Sequence, residues 1–312
     1  MVKPKVAITI GDPAGIGPEI VFRAVNSLKV QRVCSPVVFG DKTVIKDYFN
    51  INNSKYKFVF TSNFNNKVKI GVPSKQAGLI AYNAIEQAAE MCLKDNNIPL
   101  ITAPVSKESF KLAQTKFFAH TEILANLTKV KKFCMMMICG NINSVMVTRH
   151  LPVHEISKKL TVKDIVDTTE ISACLIRKMS NKNPKIIFSS LNPHCGDNGL
   201  LGNEEKQIII PAIKKLKAKK YNIADFFSCD VAWAKMYKGN YDLIVCMYHD
   251  QVMTPLKIIN KNKIVNLTAG LPFIRTSPGH GTAFDIAGKN KADETSMIES
   301  ILTAVKFSNN SK

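Results

Sequence analysis

Six short apolar runs, Val6 to Ile10, Val37 to Gly40, Pro99 to Ala103, Met135 to Cys139, Ile186 to Ser190 and Leu243 to Met247, recur along the chain with helix-like segments between them. Helical patterning is clearest over 73–93, 162–179 and 204–219. Strands alternating with helices predict a largely parallel sheet flanked by helices, because a parallel neighbour needs a long crossover and a helix supplies it. The chain is expected to be α/β. Its 312 residues suit one large domain or two lobes, and 46% apolar residues are ample for a core. No internal repeat or low-complexity linker marks a boundary, so a second lobe would be intimately joined to the first. In such folds function sits in loops at the carboxyl ends of strands, and the polar clusters fall there.

No run of 18 apolar residues exists, and Met1 to Lys5 leads straight into the first strand-like run without signal-peptide architecture. A soluble, cytoplasmic protein without membrane contact is expected. The eight cysteines are scattered with no C-x-x-C pair, which suggests neither a zinc ribbon nor a disulfide framework, but small buried hydrophobes. The net charge of +19 invites a nucleic-acid reading. Only five of the 43 basic residues are arginine, however, the residue that base readout and phosphate clamps favour. The densest lysine cluster (214, 215, 217, 219 and 220) ends an amphipathic helix, where cations suit the helix dipole. No nucleic-acid partner is expected.

Three clusters carry chemistry. The first, Gly11-Asp12-Pro13-Ala14-Gly15-Ile16-Gly17-Pro18-Glu19, follows the first strand. Its glycines permit a tight turn, while Pro18 and Glu19 suit a helix start. The spacing is not G-x-G-x-x-G, so it is not a standard dinucleotide fingerprint.

The second is a set of histidines in polar, loop-like contexts: His120-Thr121-Glu122, Arg149-His150, Asn192-Pro193-His194 and Tyr248-His249-Asp250-Gln251. Three neutral imidazoles with an open position make a catalytic divalent-metal site, although for any single histidine a hydrogen-bonded structural residue is the better reading. His249 stands out because it ends the run Leu243 to Met247. Asp250 is an acid/base group or supports a ligand. His154, beside Glu155 at a helix start, reads as structural, and the pair Glu204-Glu205 reads as helix capping without chemistry.

The third runs from Asn266 to Gly288 and concentrates glycines, hydroxyls, Arg275 and His280. Arg275 with Lys257 offers an anion clamp for carboxylate or phosphate.

Together these residues resemble the 4-hydroxythreonine-4-phosphate dehydrogenase family of vitamin B6 biosynthesis over essentially the whole chain. The matching phrases are G-D-P-A-G-I-G-P-E at 11–19, T-A-P-V-S-K at 102–107, H-T-E at 120–122, H-L-P at 150–152, L-N-P-H at 191–194, Y-H-D-Q at 248–251 with Lys257 following, and H-G-T-A-F-D-I-A-G at 280–288. The first and last also look like signatures of the isocitrate and isopropylmalate dehydrogenases. That likeness implies their two-lobed α/β fold, with the active cleft between lobes and at the interface of a homodimer. The expected lobes are a cofactor-side lobe of 1–117 with 264–312 and a metal-binding and dimerisation lobe of 118–263.

The resemblance implies a metal on His150, His194 and His249, with ligands drawn from both subunits, and substrate contacts from His120, Thr121, Lys257, Asn266 and Arg275. By likeness to isopropylmalate dehydrogenase, His280, Gly281, Thr282 and Asp285 would hold the adenosine half of NAD or NADP. His249, Asp250 and Lys257 are the catalytic candidates. The ion stays open among zinc, cobalt, magnesium and manganese. The chain departs from the family's usual residues at Gly279, Ala119, Val252 and Ser228-Cys229, and none of these removes a metal or substrate position.

The implied reaction oxidises 4-phosphooxy-L-threonine at its C3 hydroxyl with NAD(P) and then decarboxylates it to 3-amino-2-oxopropyl phosphate, which passes to pyridoxine 5'-phosphate synthase. A related dehydrogenase of another phosphorylated sugar acid or a dihydrodiol is the nearest rival. A nucleic-acid-binding module, motivated by charge, and a non-enzymatic phosphometabolite sensor, disfavoured by the histidines, are the rivals from other classes.

Overall fold

The computed structural model describes residues 3–51 and 55–309. Met1 and Val2, part of the N-terminal stretch read for a leader, lie outside the described residues. The chain forms two compact units, Met1–Lys131 with Leu271–Lys312 and Lys132–Gly270.

The first unit holds strands β1 (Lys5–Thr9), β2 (Ser35–Asp41), β3 (Lys57–Ser62), β4 (Leu100–Thr102) and β11 (Arg275–Pro278). They lie in the order β3-β2-β1-β4-β11, and every pairing is parallel. Its helices are α1 (Gly17–Asn26), α2 (Leu28–Val33), α3 (Lys42–Tyr48), α4 (Lys75–Lys94), α5 (Lys107–Leu112), α6 (His120–Thr128) and α12 (Thr295–Asn309). The sheet is covered on both faces, which is why β1 and β2 read as continuous apolar runs. Val6 and Ile8 of β1 pack with α1 and α12, while Ala7 between them packs with α4. The alternation of side chains along a strand divides the two cores.

The second unit holds β5 (Cys134–Cys139), β6 (Ile142–Met146), β7 (Ile186–Ser189), β8 (Ile223–Phe227), β9 (Leu243–Cys246) and β10 (Ile264–Ala269). Their order is β10-β5-β6-β9-β7-β8. The helices are α7 (Val153–Lys159), α8 (Val162–Ser180), α9 (Ile210–Ala218), α10 (Cys229–Tyr237) and α11 (His249–Asn260). β6, β9, β7 and β8 are parallel, as the alternation predicted, but β10, β5 and β6 pair antiparallel. The polar residues of Ile142-Asn143-Ser144 hide β6 as an apolar run. It returns from β5 through a tight turn in which Gly140 takes φ 60°.

The segment expected as one helix over 204–219 is helical, but not uniformly α in its winding. It opens with a wide π turn, Glu205–Ile209, and becomes α-helical only at Ile210. Pro211 has no amide hydrogen to donate, so a regular helix starts here at no cost in hydrogen bonds. The lysine cluster beyond it is exposed. Five cysteines are buried, Cys195 and Cys229 are half-buried and Cys174 is exposed. Among the described residues no helix is long and apolar enough to cross a membrane.

Candidate active site

Three adjacent parallel strands, β6, β9 and β7, point their carboxyl ends at one region of the second unit, and each leads to one of the candidate metal ligands. β6 continues as Val147 and Thr148, whose amides donate to the carbonyls of Cys246 (2.9 Å), the last residue of β9, and Met247 (3.0 Å), the residue after it. The hydroxyl of Thr148 donates to Met247 O as well, at 2.8 Å. This extended register carries His150 alongside His249, the first residue of α11, with ring centroids 5.9 Å apart. Asp250 Oδ1 lies 2.7 Å from His249 Nδ1. A carboxylate there fixes the ring and leaves Nε2 as the outward donor atom. A cavity of 160 Å³ opens on Arg149, His150, Tyr248, His249 and Asp250.

His194 follows β7 on an unusual turn, Pro193–Gly199. Its φ is 52°, and φ stays positive through Cys195 (57°), Gly196 (77°), Asp197 (41°), Asn198 (54°) and Gly199 (100°). Side chains crowd the backbone in this left-handed region, at a cost of about 1 kcal/mol per non-glycine residue. Such a turn persists only where neighbours hold it. Glu205 Oε1 accepts from Leu191 N (2.9 Å) and Asn192 N (2.8 Å), and Glu205 Oε2 accepts from Asn192 Nδ2 (3.0 Å). Glu204 Oε2 also accepts from Asn192 Nδ2, at 2.7 Å, and Lys206 Nζ donates to Asn198 O. The reading of Glu204 and Glu205 as helix caps is therefore corrected. Glu205 is 1% exposed and binds the backbone of another loop.

Gln251 ties the ends of β7 and β9 together. Its Oε1 accepts from Ser189 Oγ (3.0 Å) and Met247 N (2.8 Å), and its Nε2 donates to Ser190 O (2.7 Å). Its backbone carbonyl accepts from Nε1 of Trp233, the single tryptophan, at 2.6 Å. His194 lines a second cavity, of 650 Å³, with Trp233, Tyr248 and Asp250. Tyr248 and Asp250 line both cavities, so His194 stands across them from the His150–His249 pair. Lys257 is exposed on α11. Asn266 lies on β10 opposite Met137, and its buried Oδ1 has no hydrogen-bond partner.

Two imidazoles sharing one tetrahedral ion would have centroids about 5 Å apart, given metal–nitrogen bonds near 2.1 Å. His150 and His249 are within an ångström of that separation. Among the described residues no group of three metal-binding side chains converges within the chain. The spacing of the pair is compatible with two ligands of one divalent ion.

The first unit holds Arg275, His120 and Thr121. Arg275, on β11, is 2% exposed and donates from Nη2 to Thr102 Oγ1 at 2.6 Å. Burial pushes its guanidinium down to about 10. His120 opens α6 beside Thr121, and its buried Nε2 has no hydrogen-bond partner. Burial and then the charge of Arg275 hold the His120 imidazole well below the usual histidine range, against a backbone bond to Ala103. A neutral imidazole beside a buried cation suits a hydroxyl or carboxylate ligand better than another positive group.

The first and third sequence clusters meet directly. Ile16 N donates to Thr282 O at 3.0 Å, and a Cβ on Gly15 would lie 2.8 Å from that oxygen. Asp12 is fully buried, accepts from Ala14 N at 2.9 Å, and has its carboxyl pushed upward by burial. His280, Gly281 and Asp285 are exposed, and Thr282 is half-buried.

Sequence reasoning missed Glu205, Gln251 and Asn192. Gln251 and Asn192 stood inside quoted phrases, but nothing in a sequence distinguishes a hydrogen bond to a neighbouring strand from a polar loop position. Glu205 opens a helical segment, where an acidic residue has a sufficient local explanation.

A family model for the pyridoxal phosphate biosynthetic protein PdxA matches residues 32–304. A 4-hydroxythreonine-4-phosphate dehydrogenase of Sulfurihydrogenibium is 37% identical, over 96% of this chain and 97% of that protein. A Clostridium botulinum protein, named by proposal a D-threonate 4-phosphate dehydrogenase, is 33% identical over 98% of this chain and 97% of that protein. A crystal structure of 4-hydroxythreonine-4-phosphate dehydrogenase from Klebsiella pneumoniae superposes with a TM-score of 0.89 at 31% identity, covering 99% of this chain and 98% of that one. By family match, full-length identity and fold, the chain belongs to the PdxA family of pyridoxal phosphate biosynthetic proteins.

Proposed function

We propose that the protein oxidises 4-phosphooxy-L-threonine at its C3 hydroxyl with NAD+ or NADP+ and releases CO2, giving 3-amino-2-oxopropyl phosphate for pyridoxine 5'-phosphate synthase. The observation that carries this reading is the placement of His150, His249 and Asp250 together at adjacent strand ends, in a family whose members are named for this oxidation.

His150, His194 and His249 would hold a divalent ion. Bound there, such an ion polarises oxygen and stabilises negative charge, and the nicotinamide accepts a hydride. Asp250 holds the His249 ring in one tautomer through Nδ1 and takes part in proton transfer. Arg275 and Lys257 bind the anionic ends of the substrate, and His120, Thr121 and Asn266 orient it. The partnerless atoms Asn266 Oδ1 and His120 Nε2 support this, since buried polar groups in a finished fold are rarely left unsatisfied. His280, Gly281, Thr282 and Asp285 hold the adenosine half of the cofactor.

The working enzyme is a homodimer whose metal ligands come from both subunits. The first unit takes the cofactor side and the second the metal.

A second reading, D-threonate 4-phosphate as substrate, is favoured by the botulinum relative. It differs in carrying a hydroxyl where threonine carries its amine. Assaying both compounds with NAD+ and NADP+ tests the reading. Reduced cofactor from 4-phosphooxy-L-threonine is expected, and turnover of D-threonate 4-phosphate alone would replace the first substrate with the second.

A further inference from the structure

Glu205 is almost completely buried, yet the hydrogen bonds of its carboxylate go to residues just ahead of His194: the amides of Leu191 and Asn192 and the side chain of Asn192. It also abuts the turn behind His194, because a Cβ on Gly196 would lie 2.6 Å from Glu205 Oε2. The same carboxylate thus touches the chain on both sides of a residue held in left-handed conformation. We infer that Glu205 is a positioning residue that holds His194 in metal-binding geometry by gripping the strained turn that carries it. The inference rests on the metal role proposed above for His194.

A ligand on an unheld left-handed turn must be ordered each time the ion binds, and that ordering subtracts from affinity. Glu205 does the ordering in advance. A cap for its own helix would accept from the first amides of that helix; these bonds instead cross to the loop after β7.

The test is Co(II) titration of the full-length protein, followed by calorimetry and by the visible absorption of the bound ion. The variants are Glu205→Ala, Glu205→Gln, His194→Ala and the double variant Glu205→Ala/His194→Ala. Glu205→Ala is expected to weaken Co(II) binding by about 10–100-fold, the usual effect of losing a group that supports a ligand. Glu205→Gln, which keeps one oxygen for the two amides, should lose less. In the His194→Ala background Glu205→Ala should weaken binding no further, because its effect passes through that histidine. Equal weakening with and without His194, or unchanged Co(II) affinity alongside a lowered Tm, overturns the inference. If Glu205→Ala does not fold, Glu205→Gln carries the same comparison. Wild-type Co(II) affinity in His194→Ala itself would instead overturn the metal reading, and this inference with it.

Discussion

The imidazoles of His150 and His249 face each other at 5.9 Å, inclined by 48°, although 99 residues separate them in sequence. The bonds of Val147 and Thr148 to Cys246 and Met247, at the end of β9, hold the two loops in this register. His249→Ala is expected to lower kcat by more than about 100-fold, beyond the 10–100-fold typical of losing a supporting group. Far-UV circular dichroism should stay unchanged, because the ring is partly exposed and its hydrogen bond goes to the neighbouring Asp250. Steady-state kinetics would read the loss, and a near-normal rate would remove His249 from the site.

Exhaustive chelation should abolish formation of reduced cofactor, and added Zn(II), Co(II), Mn(II) or Mg(II) should restore it. Restoration by each ion in turn, measured at 340 nm, identifies the ions the site accepts. Undiminished activity after metal removal to below the enzyme concentration would eliminate the divalent ion from the reaction.

Gln251→Ala removes the link between the ends of β7 and β9 and strands Met247 N and Ser190 O in a buried setting. The loss is expected to be about 1–3 kcal/mol for each group left unsatisfied. Urea unfolding would measure it, with the midpoint shifting and the slope unchanged.

His120 sets a pH dependence of stability. Its folded-state pKa lies well below 6.5, so as pH falls below 6.5 the unfolded chain takes up a proton that the folded chain refuses. The folded state therefore loses stability between pH 6.5 and the depressed value, by at most about 1.4 kcal/mol per pH unit. His120→Gln should flatten the profile in that window relative to wild type. Identical profiles from pH 7 to 5 would mean that His120 titrates normally.

Gly78→Ala should destabilise the protein even though alanine is the better helix former by about 1 kcal/mol. Gly78 lies within α4, and a Cβ there would meet Ser109 O at 2.1 Å, forcing α4 away from α5. A Tm raised by this substitution would show that the two helices separate freely.

Much of the architecture was legible because central parallel strands must be apolar on both faces. β1, β2, β4, β7 and β9 appear as apolar runs for that reason, and β5, antiparallel to both neighbours, because five of its six residues are buried. β6, β8 and β10 escaped notice because their residues mix polar and apolar types, and β11 because Arg275 lies at its head. The metal candidates were legible only as family phrases. What brings His150 to His249 is strand register, and what shapes the turn under His194 is a carboxylate eleven positions away. Neither leaves a local periodicity to read.

The grip of Ile16 on Thr282 has a consequence for the order of assembly during synthesis. The glycine-rich loop is made well before its partner, which emerges only after the whole second unit, Lys132–Gly270, has been translated. The second unit is contiguous and can close its core while the ribosome is still working. The first must wait, with β4 lacking β11 until residue 275 appears. Domains are usually completed from the amino terminus onward. Here the connectivity lets the middle of the chain finish first, while the first unit cannot be completed until the later segment is made.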